Sequence, residues 1–483
     1  MFKRKDKMNI KETIKHTKIL ATIGPATDDH DVLERIIRAG VNGCRMNFSH
    51  GTPEERDTQF RYIREISEEI GRHVSIIQDL QGPKIRLGQL KDDMRYEIHT
   101  GDELGLTYGI EHDGGNNLPS QYDLSQKVKV GETIYLFDGK IKTTVERVDG
   151  PTVWIRAANN GYVISRKAIN LPDTDFGSEF LTEKDYVDLE WGLEKDYDYT
   201  AISFVHTADD IHLVRQWLKD HGVERPIITK VETKTAIMPE NLEEIVKASD
   251  GVMVARGDLA VEAGAEVVPV VQREIISLCQ KHCKFSIVAT QMLASMVDNP
   301  EPTRAEVSDI ATASIDGADV VMLSDETAMG SYPVEAVEVM AKTLLYAQHH
   351  LPIKPLYSNN DSDEVRDAVA ESAVMLAERI EADAIVVETT TGKMASSISV
   401  HRPQIPVLAV SPSLRVANQM ALFYNTLGFT GEGDDYGWST TKRIFDAGFF
   451  GEMERLKLVV ARRVPSDGDS HVANTVQVRI LEK

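Results

Sequence analysis

The chain has 483 residues, too many for one hydrophobic core, so two to four domains are expected. Its 42% apolar content is ordinary for a folded protein and excludes wholesale disorder. A net charge of -22 argues against a nucleic-acid-binding surface, and no apolar run approaches the roughly 18 residues that a membrane span needs. We therefore expect neither nucleic acid nor a membrane as a partner.

The N-terminus, residues 1–7, is basic, but the apolar stretch of a secretory signal does not follow it. We interpret residues 1–15 as a tail. An odd, sparse set of three cysteines, Cys44, Cys279 and Cys283, fits a reduced cytoplasmic protein. Cys279 and Cys283 stand four residues apart on one helix face without a second ligand cluster, so the sequence favours packing over metal binding there.

Short β-rich runs alternate with helical patterns along the first 350 residues. Helical periodicity is clear over residues 31–38, which precede a Gly40 stop. Eight alternating units predict a (β/α)₈ barrel, an α/β fold. The eight predicted strands are 18–22, 43–47, 74–79, 199–203, 227–230, 252–255, 286–290 and 320–323.

About 120 residues separate the third and fourth predicted strands, far more than a normal connection. Within them, β-rich runs broken by Asp-Gly pairs predict hairpins and hence a small β domain inserted as a lid. After a proline-containing linker at 351–355, α/β alternation resumes, which predicts a C-terminal doubly wound domain. The predicted divisions are a tail (1–15), the barrel (16–85 and 172–347), the inserted β lid (86–171) and a C-terminal regulatory or oligomerisation domain (348–483).

Charged side chains follow the fifth and sixth predicted strands. The fifth runs into Lys230 and Glu232, and roughly 25 residues later the sixth runs into Arg256, Gly257 and Asp258. Two carboxylates and two cations at the ends of buried strands are costly unless they pair or bind something. The pattern predicts a metal held by Glu232 and Asp258, and an anionic ligand held by Lys230.

Polar residues also follow four other predicted strands, and a barrel places all of these strand ends on one rim, where active sites of this fold lie. Helix capping could explain Thr290 or Ser324 singly. It does not explain six strand ends with charges of both signs. The four further sets are residues 45–50, Asp79, residues 290–291 and residues 324–327.

Four segments at these strand ends and just beyond them, 45–51, 255–259, 289–293 and 302–306, closely resemble pyruvate kinase, as does the predicted domain order. The resemblance covers about residues 16–483 and is densest in the barrel. It implies transfer of the phosphoryl group of phosphoenolpyruvate to ADP, the last step of glycolysis. It also implies a homotetramer.

The resemblance implies a role for each rim residue. Glu232 and Asp258 would hold Mg²⁺, or Mn²⁺ in its place. Lys230 would stabilise the transferring phosphoryl group and the enolate, and Arg45 would hold the phosphate. Backbone N–H groups near Gly257 and Asp258 and the Thr290 hydroxyl would hold the carboxylate, with Arg256 counted among the substrate-binding residues. Thr290, Ser324 and water would relay the proton to the enolate.

By position, Asn47, His50, Arg86 and Lys167 are candidates for binding the nucleotide. Lys167 would come from the inserted domain when it closes. The alternative for Lys167 is a solvated basic surface.

Many members of the family need bound K⁺, and Asn47, Ser49 and Asp79 match three of its ligand positions. K⁺-dependent members carry threonine at the Leu80 position and glutamate at the Lys84 position. We expect the Lys84 ammonium to replace K⁺, since a lysine ammonium beside a bound K⁺ would repel that ion at short range. The alternative is a surface lysine beside an ordinary K⁺ site. Asp325 and Ala260 replace more usual glycines, and the role of Asp325 stays open.

The turn formed by Thr389, Thr390, Thr391, Gly392 and Lys393 precedes a predicted helix and matches the family's effector pocket. A phosphorylated sugar or nucleotide is the expected effector, because helix N-termini bind phosphate well. A plain helix cap is the alternative.

Two rival functions make different predictions about Lys230. A Schiff-base aldolase-type barrel would use Lys230 as a nucleophile in an apolar, metal-free pocket. A non-catalytic paralogue would have lost Lys230, Arg45 or the acid pair, and all of these are present.

Overall fold

Eight parallel strands close a barrel in chain order, with the first strand paired to both the second and the eighth. The structure, a computed structural model, describes residues 14–174, 180–356, 365–465 and 472–483. The predicted α/β barrel is confirmed. The barrel strands are Lys18–Ile23, Gly43–Asn47, Ser75–Asp79, Tyr199–Ile202, Ile227–Val231, Gly251–Ala255, Phe285–Ala289 and Val320–Leu323.

The barrel strands are almost entirely buried, as expected of parallel strands covered on both faces. Their register aligns the carboxyl ends: Asn47 lies opposite Asp79, and Ala255 lies opposite Ala289. The polar residues at and after these positions therefore meet on one rim.

Helices follow the barrel strands, and several begin with a side-chain cap. Thr52 and Thr303 each form a reciprocal capping box with a glutamate three residues later. The helices up to residue 350 are His30–Ala39, Pro53–Ile70, Glu183–Leu193, Ala208–Asp220, Pro239–Ala248, Arg256–Ala263, Val268–Lys281, Arg304–Ile315, Asp325–Ala328 and Pro333–His350, with 3₁₀ turns at Lys91–Asp93 and Ala294–Val297.

The long segment after the third barrel strand folds as β structure with its own apolar core. It leaves the barrel beside its point of return, where the N–H of Ile169 donates to Ile85 O at 2.9 Å and Arg86 pairs with Ala168. Its strands are Tyr96–Ile98, Glu103–Tyr108, Asn117–Ser120, Thr133–Leu136, Ile141–Asp149, Thr152–Ala157, Gly161–Val163 and Ile169–Asn170.

The C-terminal part is a five-stranded sheet flanked by helices, parallel except for its last strand. Two of its strands were not predicted from the sequence, Thr426–Thr430 and Val472–Glu482. Gly428 interrupts the apolar pattern of the first of these strands. Glycine is needed at this position because a Cβ there would lie 2.1 Å from Ala417 O. The other strands are Ala384–Glu388, Val407–Ser411 and Arg455–Pro465, and the helices are Val365–Arg379, Lys393–Ser399, Leu414–Gln419 and Tyr436–Asp446, with a 3₁₀ turn at Met420–Leu422.

Residues 1–13 of the predicted tail lie outside the described residues, whereas Ile14 is buried against the C-terminal core. Among the described helices, none combines the length and the apolar character needed to cross a membrane. The exact domain boundaries stay a prediction.

Candidate active site

Lys230 lies at the centre of the rim, with its side chain only 13% exposed. Its Nζ donates to Ser203 Oγ at 2.6 Å and lies 3.8 Å from Asp79 Oδ1 and 3.6 Å from Glu232 Oε2. Burial lowers the pKa of Lys230, but Asp79 and Glu232 outweigh burial and hold the pKa above its ordinary value. Lys230 is therefore a fixed cation and a poor amine nucleophile, which argues against the Schiff-base alternative.

Arg45 brings a second cation to the same carboxylate. Its Nε donates to Asp79 Oδ2, and its Nη1 donates to Thr22 Oγ1 at 3.1 Å. Asp79, which is 1% exposed, contacts both Arg45 and Lys230 and so holds these two cations close to each other. Two adjacent cations facing the rim form an arrangement that suits a phosphoryl group.

Glu232 is fully buried and only half satisfied. Oε1 accepts the backbone N–H of Phe204 at 2.7 Å, while Oε2 has no hydrogen-bond partner among the described residues. Burial raises the pKa of Glu232 to about 7, which Lys230 opposes and Asp258 reinforces. A buried carboxylate oxygen that has an ion-pair contact but no hydrogen bond, in the field of a second carboxylate, fits a divalent cation.

Asp258 supplies that second carboxylate. Both of its oxygens accept from Lys84 Nζ, at 2.9 Å and 3.2 Å. Burial would raise the pKa of Asp258, but the Lys84 ammonium outweighs burial and holds the pKa below its ordinary value. The acid pair therefore meets at the rim, with Lys84 on one of its members.

Thr290 adopts a strained backbone with φ of +71°, unusual for a β-branched residue. Its Oγ1 accepts the N–H of Gly257 at 2.9 Å, at the first turn of Arg256–Ala263. The Arg256 side chain contacts the backbone that carries Thr290. It donates to the carbonyls of Ala289 and Thr290 and pairs with Asp309 at 2.8 Å.

Ser324 follows the eighth barrel strand, and its Oγ is buried without a hydrogen-bond partner in the described parts of the chain. Its backbone N–H donates to Glu326 Oε2 at 2.7 Å, and Glu326 Oε1 accepts the N–H of Leu293 at 3.0 Å. Glu326, which is 2% exposed, therefore ties together the loops that carry Thr290 and Ser324.

Three of the four predicted nucleotide-binding residues lie close enough to interact electrostatically. Burial lowers the pKa of His50, Arg86 and Lys167 lower it further, and Asp325 opposes them. Arg86 also donates to Arg166 O at 3.3 Å. The inserted domain thus brings two cations toward the rim of the barrel.

The residues matched to the K⁺ site are only partly brought together. Asn47 Oδ1 accepts the N–H of Ser49 at 3.1 Å, and Asp79 is held by Arg45 and Lys230. Lys84, as far as the described residues show, pairs with Asp258 and not with Asp79.

The predicted effector turn lies in the C-terminal sheet domain, away from this rim. Thr389 is buried and its Oγ1 accepts the N–H of Gly392 at 2.9 Å. Thr390, Thr391 and Lys393 are exposed around it.

Four residues near the rim were assigned no individual role from the sequence: Ser203, Phe204, Glu262 and Glu326. Ser203 and Phe204 directly follow the fourth barrel strand, so their strand-end position was an available signal. Glu262, whose pKa burial raises to about 7, stands one helical turn after Asp258. Glu326 belongs to the predicted strand-end set 324–327, but its individual role was not predictable, because it depends on two backbone N–H groups from different loops.

The sequence matches two family models: "Pyruvate kinase, barrel domain" over residues 14–337 and "Pyruvate kinase, alpha/beta domain" over residues 367–478. It is 35% identical to a pyruvate kinase of Clostridium acetobutylicum over 96% of this chain and 99% of that one. It is 40% identical to one of Agrobacterium vitis over 86% of each chain, and 38% identical to one of Thermotoga maritima over 85% of this chain and 87% of that one. The chain therefore belongs to the pyruvate kinase family, phosphotransferases that pass the phosphoryl group of phosphoenolpyruvate to ADP and release pyruvate and ATP.

Proposed function

We propose that the rim cluster around Lys230 is where this chain performs the transfer. The observation that carries this proposal is the pair of cations, Lys230 and Arg45, anchored side by side on buried Asp79. In this proposal Arg45 binds the phosphate, and Lys230 compensates charge on the transferring group and on the enolate oxygen left behind. Fixed charges of this kind provide most of the catalysis in phosphoryl transfer.

We propose Glu232 and Asp258 as the protein ligands of Mg²⁺, with Mn²⁺ able to replace it. The half-satisfied Glu232 carboxylate supports this assignment. When bound, the ion would polarise the phosphoryl and enolate oxygens. The N–H of Phe204 orients Glu232 through Oε1, which leaves Oε2 without a hydrogen bond and able to bind the ion.

The substrate carboxylate is assigned to the start of the helix Arg256–Ala263. The N–H groups of Gly257 and Asp258 lie in its first turn, and the Thr290 hydroxyl is already held there. Thr290 and Ser324 would pass the proton that converts the enolate to pyruvate. Arg256, by contrast, donates to the carbonyl of Thr290 and pairs with Asp309, so the geometry does not support its predicted contact with substrate.

ADP is assigned to the space between the barrel rim and the inserted domain. His50 and Asn47 would contact it from the barrel, and Arg86 and Lys167 from the inserted domain. The shared electrostatic environment of His50, Arg86 and Lys167 supports this grouping. Closure of the inserted domain would exclude water from the transfer.

We further propose that Lys84 makes the enzyme independent of K⁺. Its ammonium stands in the charged cluster, 2.9 Å from Asp258 Oδ1, and a monovalent cation beside it would be repelled. Turnover in a buffer free of K⁺ and Na⁺, with tetramethylammonium as counter-ion, tests this proposal. A large rise on adding K⁺ would overturn it.

We also propose that the turn at residues 389–393 is the pocket for a phosphorylated effector. We further propose that the enzyme is a cytoplasmic homotetramer and that its domains divide at the boundaries predicted from the sequence. Exposed Thr390, Thr391 and Lys393 offer hydroxyl and ammonium donors for a phosphate.

The metal assignment has a matched control within the chain. Glu232→Gln should raise the Mg²⁺ concentration for half-maximal turnover by at least about tenfold, the loss of one charged ligand. Glu262→Gln removes a neighbouring carboxyl of similarly raised pKa that is not a proposed ligand, so it should shift this concentration far less. Equal shifts in both variants would count against Glu232 as a ligand.

A further inference from the structure

Lys84 contacts a carboxylate that a divalent cation would need. Its Nζ lies 2.9 Å and 3.2 Å from the two oxygens of Asp258, with the lysine 19% and the aspartate 23% exposed. Both carboxylate oxygens of Asp258 therefore accept a hydrogen bond from the same ammonium. Among the described residues, Lys84 makes the shortest cation contact with the acid pair, since Lys230 Nζ lies 3.6 Å from Glu232 Oε2.

The backbone around Lys84 is fixed, so the contact is part of the fold. The N–H of Lys84 donates to Gly82 O at 2.8 Å, closing a tight turn. Gly82 has φ of +68°, and a Cβ there would lie 2.9 Å from the Ser203 side chain, so only glycine lets this turn pack so closely. One residue after Lys84, Ile85 is bonded to the returning strand at Ile169.

The Lys84 side chain also lies near Phe204, a residue that contacts the acid pair. Its ammonium lies 5.7 Å from the centre of the Phe204 ring, and the N–H of Phe204 holds Glu232 Oε1. One residue thus supports Lys84 with its ring and Glu232 with its backbone. The ammonium therefore sits beside the pair of carboxylates, where it neutralises part of their charge.

We propose that Lys84 is a built-in competitor of the divalent cation: it occupies Asp258 in the metal-free enzyme and must leave that carboxylate before the ion binds. This inference rests on the proposed metal site. A cation that binds Asp258 has to break two charge-assisted hydrogen bonds and approach a neighbouring positive charge. Lys84 would thereby weaken metal binding in the absence of substrate.

The effect can be measured as metal affinity, without turnover. Mn²⁺ binding to the substrate-free enzyme would be followed by the loss of the free-ion electron paramagnetic resonance signal, in tetramethylammonium buffer. Lys84→Met, which keeps the length of the side chain and removes its charge, should bind Mn²⁺ about tenfold more tightly, equivalent to about 1.4 kcal/mol. Lys84→Gln provides a second neutral variant should the first fold poorly, and Lys84→Arg, which keeps the charge, should bind no more tightly than the wild type.

Asp258→Asn separates the two proposals. If it abolishes Mn²⁺ binding while both neutral Lys84 variants bind as the wild type does or more weakly, the metal site stands and the competition is wrong. If Asp258→Asn leaves Mn²⁺ binding unchanged, the metal site itself is wrong, and the competition falls with it. Tighter binding in both neutral variants, lost when Asp258→Asn is added, is the expected result.

Discussion

Arg256→Lys should slow the reaction without weakening nucleotide binding. The guanidinium of Arg256 donates to Thr290 O from two nitrogens, at 2.6 Å and 3.3 Å, and to Ala289 O at 3.2 Å. It pairs with Asp309 on a third element. A lysine keeps the charge but has no planar fork, so it cannot hold the turn and Asp309 together.

The expected loss in kcat can be estimated from the contacts that hold the backbone at Thr290 and Gln291. Thr290 and Gln291 both have positive φ, at +71° and +56°, a conformation that costs about 1–3 kcal/mol per residue unless surrounding contacts enforce it. A hydrogen bond to a charged group contributes about 1.5–3 kcal/mol, and each ~1.4 kcal/mol of transition-state stabilisation corresponds to tenfold in rate. We expect kcat to fall by about 10- to 100-fold.

The assay separates positioning from general damage. Solvent deuterium exchange into the methyl group of pyruvate reports the protonation half of the reaction, which depends on Thr290 in the proposed roles. It should fall at least as much as kcat, while KM for ADP stays within about twofold. Asp309→Asn, which leaves the guanidinium on the carbonyls, is the milder control. Unchanged exchange in Arg256→Lys, or a rise in KM for ADP that matches the loss in kcat, would show that Arg256 does not position Thr290.

Two further predictions address the inserted domain and the barrel. Lys167→Met should raise KM for ADP about tenfold, the loss of one charged contact, and leave KM for phosphoenolpyruvate nearly unchanged; equal changes in both would argue against a nucleotide contact. Burial raises the pKa of Asp198 to about 6, against opposition from Arg64. The stability that its protonation provides is complete below about pH 4 and lost as pH rises through 6. The melting temperature of the wild type minus that of Asp198→Asn should therefore fall from pH 5 to 7.5, by the equivalent of about 1.4 kcal/mol, and a difference that does not vary with pH would contradict this.

The barrel was predictable because its strands are short apolar runs that end in polar residues at regular intervals. That regularity also predicted which strand ends share a rim, and the register of Asn47 against Asp79 follows from it. The last two strands of the C-terminal sheet were not predictable in the same way. One contains Gly428, and the other, an exposed antiparallel edge, alternates apolar with polar residues instead of forming a continuous apolar run.

At the site, residue identity was easier to predict than side-chain direction. Lys230, Arg45 and Glu232 lie where the strand ends place them. Arg256 follows the same strand-end rule, yet its guanidinium is held by Asp309 and by the carbonyls of Ala289 and Thr290. Lys84 was expected near Asp79, and its partner is Asp258, a choice made by tertiary packing at the junction with the inserted domain.

Lys230, the cation that Asp79 and Glu232 hold, should be essential for the transfer, and Lys230→Met is the variant that tests this role. Pyruvate formation from phosphoenolpyruvate and ADP with Mg²⁺ can be followed by coupling to lactate dehydrogenase. The wild type should turn over, and Lys230→Met should lose at least about 10²-fold in kcat with an unchanged circular dichroism spectrum, since removing one preorganised donor from such a site costs about 10²–10³ in kcat. A folded Lys230→Met enzyme that keeps a tenth or more of the wild-type kcat would contradict the account.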